Sequence, residues 1–152
     1  MKEIYDTILK IKYFCACNES KISSSCQIGI AELKGLNAIN INENITCSEF
    51  AKRINLSLSR GSRIIDNLVK KGYFLRKAKT HDRRFTLLYL TEKGKELKND
   101  IIKEQKAFEE NIKSELTGQE IESIKKGLKT LEKFLIYNKK GENYARKINR
   151  NK

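Results

Sequence analysis

Thr46–Leu90, TCSEFAKRINLSLSRGSRIIDNLVKKGYFLRKAKTHDRRFTLLYL, reads as two short helices followed by a basic hairpin. Thr46-Cys47-Ser48-Glu49 has the form of a capping box, in which the Thr46 hydroxyl bonds an amide one turn on and Glu49 reaches back, so a helix begins near Cys47. Phe50, Ala51 and Ile54 fall on one face of it, and Asn55-Leu56-Ser57 breaks the pattern with turn formers. A second helix follows, capped by Ser57 or Ser59. Its Gly61, Ile64, Ile65 and Leu68 face inward, and Gly72 stands where a left-handed residue ends it after Lys70 and Lys71. Two strand-like runs, Phe74 to Lys79 and Phe85 to Leu90, flank a polar tip, Thr80-His81-Asp82-Arg83-Arg84.

Helix, helix and hairpin in this order outline a winged helix-turn-helix. The outward face of the second helix carries Ser59, Arg60, Ser62, Arg63 and Asn67, with Ser57 at its start. In helix-turn-helix docking that end enters the DNA major groove. Arginine takes guanine O6 and N7 bidentately, and serine or asparagine reads base edges or phosphates. Polar residues on one helix face usually mean only a solvated surface. The hairpin weighs against that reading, because a wing of this kind offers Arg83 and Arg84 to the narrow, electronegative minor groove. Lys79 and His81 lie in the same wing, and Lys52, Lys70 and Lys77 are supporting phosphate ligands.

Charge placement points the same way. Of the net +13, residues 52–84 carry +9 and residues 138–152 carry +5, so the remainder sums to −1. A generically basic chain would spread its charge; here it gathers where phosphates would be met.

The succession LSLSRGSRIIDNLVKKG, strand, HDRR, strand, LTEKG resembles the MarR family of bacterial winged-helix transcription regulators, including its Asp-x-Arg wing signature at Asp82 and Arg84. The close match covers the middle half of the chain. The resemblance implies that Asp82 orients Arg84 for the minor groove. It also implies a homodimer in which the N- and C-terminal helices of two subunits interleave, and a roughly palindromic operator with half-sites about one helical turn apart. An apolar effector pocket of varied lining is implied as well. Gly61 departs from the helix formers preferred inside a recognition helix, at a cost of about 1 kcal/mol. Close approach to the DNA backbone and close approach to the first helix are both open explanations.

The flanking segments carry amphipathic stripes. Ile4, Ile8, Ile11 and Cys15 predict a helix over residues 3–15, Asn18–Ser25 reads as a polar turn, and Ser24 or Ser25 would cap a second helix bearing Ile28, Leu33, Leu36 and Ile39. Gly29 and Gly35 weaken that helix, so packing must hold it. Asn40–Asn44 is a turn-rich connector with room for a short strand that pairs to the wing. After the wing, Thr91 caps a helix running to about Ser114 and marked by Leu97, Ile101, Phe108 and Ile112. Thr117-Gly118-Gln119-Glu120 opens a last helix whose Ile121, Ile124, Leu128, Leu131 and Leu135 form a heptad-like seam. The tail, 138–152, lacks a sustained apolar pattern and reads as mobile. The expected fold class is therefore mainly α with a small β-wing, in one domain spanning 1–152. Residues 1–40 and 91–137 supply dimerisation helices, 41–90 the winged helix-turn-helix and 138–152 a basic tail.

Cys15, Cys17 and Cys26 gather around the expected first turn, and Cys47 begins the helix-turn-helix. Cys15 on the apolar stripe reads as core. Cys17, Cys26 and Cys47 suit a redox-sensing thiol, whereas zinc or an iron-sulfur cluster is the weaker reading, since Cys-x-Cys is not the usual knuckle. No cofactor is expected. His81 is the only histidine, and there is no nucleotide-binding glycine motif, so an enzyme reading has little to stand on. Without a membrane-length apolar run or a secretion signal, a cytoplasmic protein is expected. Three readings compete: a DNA-binding repressor released by a small ligand or thiol oxidation, an architectural or partner-binding DNA module without an effector, and a metal- or cluster-sensing regulator.

Overall fold

A computed structural model describes the backbone of residues 3–79 and 82–149, with side chains except those of residue 79, residues 82–85 and residues 138–149. In chain order the described residues form α1 (Glu3–Ser25), α2 (Ile30–Asn37), β1 (Ile45–Thr46), α3 (Cys47–Arg53), α4 (Leu58–Lys70), β2 (Phe74–Lys79), β3 (Asp82–Leu90), α5 (Glu92–Glu115) and α6 (Gly118–Asn149). The architecture is mainly α with a small antiparallel sheet, as the sequence predicts. Two units divide the chain, Met1–Lys106 and Ala107–Lys152.

Within the first unit the helix-turn-helix forms as its local signals dictate. Thr46 caps α3: its Oγ1 accepts from the Glu49 amide at 3.1 Å while Glu49 Oε2 accepts from the Thr46 amide at 2.9 Å. The helix then ends on Asn55, which takes φ 56°, and the Leu56 amide reaches back to Ala51 O at 2.9 Å. Asparagine tolerates this left-handed conformation because its short side chain bonds locally. Ser57, of the two serines proposed, caps α4 by accepting from the Arg60 amide. At the far end Gly72 takes φ 78°, and the amides of Gly72 and Tyr73 close on Val69 O and Leu68 O, both at 2.9 Å. That double closure is a Schellman motif, and it turns the chain sharply into β2.

Sheet order is β1-β3-β2, with Ile45 opposite Leu88 and Phe74 opposite Leu90. Phe74, Leu88 and Leu90 are buried while Leu75 is exposed, the period-two alternation of a sheet with one face packed. The strand sought within Asn40–Asn44 lies just beyond it at Ile45–Thr46, where a β-branched residue replaces asparagine. β3 starts at Asp82, three residues before the expected Phe85, and Lys79 pairs with Asp82. Ladder bonds come from the backbone, so polar residues sustain the strand as well as apolar ones do.

The core gathers Phe50, Phe74, Leu33, Leu36, Ile39, Ile45, Ile65, Leu68, Leu88 and Ile101, all nearly or fully buried. Phe50 and Phe74 meet edge to face, their ring centroids 5.8 Å apart. α2, which the sequence grouped with the flanking helices, supplies Leu33 and Leu36 to this same core.

Residues 18–25, read from sequence as a turn, are the last two turns of α1. Asn and Ser lower helix propensity only slightly, Glu and Lys favour it, and burial of Ile22 and Ser23 carries the helix on. Reversal occurs at Cys26–Gly29, where Gln27 takes φ 54° and Ser23 Oγ donates to Ile28 O. Gly29, not Ser24 or Ser25, is the N-cap of α2, with Glu32 Oε2 accepting its amide at 3.0 Å. Along the rest of α1 the predicted stripe is uncovered within this chain: Ile4, Ile11 and Cys15 are exposed, as are Tyr13 and Phe14.

In the second unit Thr117 caps α6 as predicted, with Glu120 Oε2 accepting the Thr117 amide at 2.8 Å. The seam residues Ile124, Leu128 and Leu135 are exposed, and Ile121 and Leu131 are half-buried. The backbone of α6 continues to Asn149, so the segment set apart as a mobile tail is continuous with the helix. Lys, Arg, Glu and Ala propagate a helix without any apolar stripe.

Candidate nucleic-acid interface

α4 shows one apolar and one polar face. Gly61, Ile65 and Leu68 are buried, whereas Ser59, Arg60, Arg63 and Asn67 are exposed and Ser62 is half-buried. The exposed residues cluster on the first two and a half turns, following the Ser57 cap. Gly61 is explained by the first helix: a Cβ there would stand 2.8 Å from Ala51 Cβ and 3.2 Å from Ala51 Cα. Close approach of α3 and α4, rather than of DNA, is what the missing side chain permits.

Eleven Lys or Arg occupy residues 52–84, and the structure divides them by job. Arg53 is bidentate to Glu43, at 2.5 and 2.8 Å, and donates to Ala38 O at 2.9 Å. Arg76 on β2 pairs with Asp66 on α4 at 2.7 Å, which ties the wing to α4, and Lys71 pairs with Glu32 at 2.8 Å. These three hold the lobe together. Lys52, Arg60, Arg63, Lys70 and Lys77 are exposed and make no ion pair among the described residues. Lys77 also lies 5.6 Å over the Tyr89 ring. Such cations are available to phosphates. The pairs were invisible in sequence, since their partners lie ten or more residues apart with no periodic signature.

The Arg53 guanidinium and the Asn40 amide hold the Glu43 carboxyl down at about 2, well below its ordinary 4.5. A depressed carboxylate contributes stability that is present above pH 4.5 and lost as pH falls from there toward 2. Thermal melts of the wild type and Glu43→Gln should therefore differ at pH 6 and converge toward pH 2.5; a constant difference would remove the pair from the account.

Lys79, Asp82, Arg83 and Arg84 sit in the paired strands of the wing as backbone, but their side chains, and His81 altogether, lie outside the described residues.

The thiols do not gather. Because α1 runs to Ser25 and the Cys26 amide still bonds Ile22 O, Cys17 and Cys26 are separated by roughly 13 Å of helix, against about 7 Å at most for a disulfide. Cys15 is exposed rather than core. Burial pushes the Cys26 thiol up, and the Glu104 and Asp100 carboxylates add to the effect, which disfavours a thiolate there. Cys47 is the first residue of α3 and packs against the core. The neighbouring Cys17 side chain raises the Tyr13 phenol above its ordinary 10.0. Among the described residues no three His, Cys, Asp or Glu side chains converge as a metal site, and no helix is long and apolar enough to cross a membrane.

No curated protein sequence matches the chain. Among solved structures it is similar to Streptococcus pneumoniae FabT in complex with DNA, with 28% identity, a TM-score of 0.79, and 88% of this chain and 96% of that one covered. A MarR transcriptional regulator from Methanosarcina mazei Go1 shares 22% identity at a TM-score of 0.74, over 90% of this chain and 98% of that one. The apo form of wild-type MarR from E. coli shares 24% at 0.69, over 83% and 94%. At those identities the last two bear on the fold alone. Residues 28–86 match the family model of MarR, and the fold built on them is a winged helix-turn-helix similar to FabT over most of its length.

Proposed function

We propose that the protein is a homodimeric, sequence-specific double-stranded DNA-binding repressor, released from a roughly palindromic operator by a small ligand or by thiol oxidation. The observation that carries this reading is the exposed, polar N-terminal face of α4, with Ser59, Arg60, Arg63 and Asn67 set beside a basic wing. Ser57, Ser59, Arg60, Ser62, Arg63 and Asn67 would meet the major groove. Lys79, His81, Arg83 and Arg84 would meet the minor groove or its flanking phosphates, with Asp82 orienting Arg84. FabT, similar over most of this chain, was solved with DNA.

A second copy is the reason for the uncovered apolar surface. Ile4, Tyr5, Tyr13 and Phe14 on α1 are at least 64% exposed. On α6, Ile124, Leu128, Leu135 and Ile136 are 44–53% exposed. Patches of this kind on separate helices exceed what a monomer usually shows to water. The exposed faces of α1 and α6 are thus assigned to dimerisation, with α2 kept in the core it shares with the winged helix-turn-helix of 41–90 and 138–152 as a basic extension.

The test is binding of the purified protein to DNA upstream of its own gene, at moderate salt, reduced and then treated with mild peroxide. Specific binding lost on oxidation and restored by thiol assigns the sensor to cysteine, with Cys15 and Cys17 the first to change to serine. Specific binding indifferent to oxidation redirects the search to small ligands. Equal affinity for random DNA overturns the regulator in favour of an architectural module. Arg84→Ala should weaken operator binding by about 1–3 kcal/mol, chiefly at sites with a narrow flanking minor groove; unchanged affinity would remove the wing from the interface.

A further inference from the structure

The short helix α2 packs through Gly35 against Ile64 and Leu68 of α4, and both of its ends are held by buried charge. At its N-terminal end Glu32, 7% exposed, accepts from the Gly29 amide at 3.0 Å and from Lys71 Nζ at 2.8 Å, and Lys71 is the C-cap of the recognition helix. At its C-terminal end Lys98, also 7% exposed, donates from α5 to Leu36 O at 2.9 Å and to Asn37 Oδ1 at 3.2 Å. A cation at that end meets the unsatisfied carbonyls and the negative pole of the helix. Between the two ends α2 is pressed onto α4. A Cβ on Gly35 would stand 2.9 Å from Leu68 Cδ1 and 3.2 Å from Ile64 Cγ2.

Buried lysines are rare, because an ammonium taken from water must find its bonds inside the protein. Burial lowers the Lys98 ammonium below its ordinary 10.5, so the position works against its own charge. A methionine would fill the same volume with an apolar chain at no such cost. What the ammonium adds is direction, since it fixes the last turn of α2 to one place on α5.

We propose that Lys98 and Glu32 are positioning residues for DNA binding: Lys98 clamps α2 to α5, Glu32 clamps it to the end of α4, and α2 transmits the placement of α5 to the recognition helix. The inference rests on the reading of α4 as the DNA-contacting helix. It makes α2 a single rigid relay, so loosening either end releases the same degree of freedom. Two clamps on one relay act in series, and breaking the second after the first costs little more. For stability the two clamps are separate contacts on different neighbours, and their losses add.

Lys98→Met, Glu32→Gln and the double variant are to be measured for operator affinity and for urea unfolding beside the wild type. Each single change is expected to weaken operator binding on the order of 10-fold, with the double variant no weaker than the weaker single, while the unfolding losses sum. Lys98→Arg, which keeps the charge, should recover part of the affinity. Affinities within about 2-fold of wild type, or losses that multiply in the double variant, overturn the relay and leave the two groups as fold contacts only. If Lys98→Met does not fold, Asn37→Ala takes its place in the cycle, since Asn37 is exposed and supplies one of the two acceptors. A wild type without operator preference would sink the DNA-reading assignment instead, an outcome distinct from a wild type that binds and variants that bind equally well.

Discussion

Replacing Gly94 by alanine is expected to destabilise the protein by about 2 kcal/mol or more, from an overpacking cost at or above the usual 3 kcal/mol ceiling set against about 1 kcal/mol of gained helix propensity. Gly94 lies in the first turn of α5, buried, and a Cβ there would stand 2.1 Å from the Tyr73 carbonyl oxygen. That oxygen is held in place because it already accepts from the Thr91 amide at 3.0 Å. The Thr91 hydroxyl in turn accepts from the Gly94 amide and donates to Gly72 O at 2.6 Å. Lys93 closes the junction, with Nζ 2.9 Å from Lys71 O and 4.8 Å over the Tyr73 ring. The start of α5 is thus seated on the turn that ends α4. Urea unfolding at fixed protein concentration gives the measurement. Gly118→Ala, where a Cβ meets nothing within 4 Å, should change stability by less than about 0.5 kcal/mol. Equal effects at the two glycines would show that the Tyr73 contact does not govern the site.

Replacing Arg63 by alanine is expected to leave folding intact and to weaken operator binding by about 1–3 kcal/mol per half-site, with preference lost at one base pair. Arg63 is exposed on α4, six residues past its cap and without an ion-pair partner among the described residues. A guanidinium in that position is free to pair bidentately with guanine. A homodimer presents it twice, so the loss on a palindrome should approach double that on a half-site. Lys70→Ala is the contrast: a phosphate contact weakens every sequence alike and lowers the salt dependence by about one counterion. If Arg63→Ala also weakens all sequences equally, Arg63 grips the backbone and the reading of bases belongs to Ser59, Arg60 or Asn67.

Residues 46–90 were legible because each local signal has a short-range cause. Thr46 and Glu49 satisfy one another's amides within one turn, Ser57 caps the next helix, and Gly72 ends it with a positive φ. Period three to four in α4 and period two in the wing then set which side chains meet the core. The polar face of α4 was predictable from that periodicity alone, and so was the concentration of charge in this segment.

Where those signals are weak, the sequence misled. Asn18–Ser25 looked like a turn because asparagine and serine favour turns locally; burial of Ile22 and Ser23 outweighs a preference of only a few tenths of a kcal/mol per residue. The cysteines looked like a cluster only because that turn was expected, and the longer helix holds them apart.

The amino-acid order alone determined the fold class, most of the caps, the polar face of α4 and the basic field, since capping, periodicity and charge act over distances of a few residues. The three-dimensional fold assigned the charges. Of the lysines and arginines crowded between 52 and 84, which ones brace the lobe depends on Glu32, Glu43 and Asp66 arriving beside Lys71, Arg53 and Arg76. Gly61 became a helix contact, and Lys98, an ordinary helix residue in the sequence, became the buried cation at the end of α2. Ion pairing and close packing are set by which surfaces meet, and neither leaves a periodic trace along the chain.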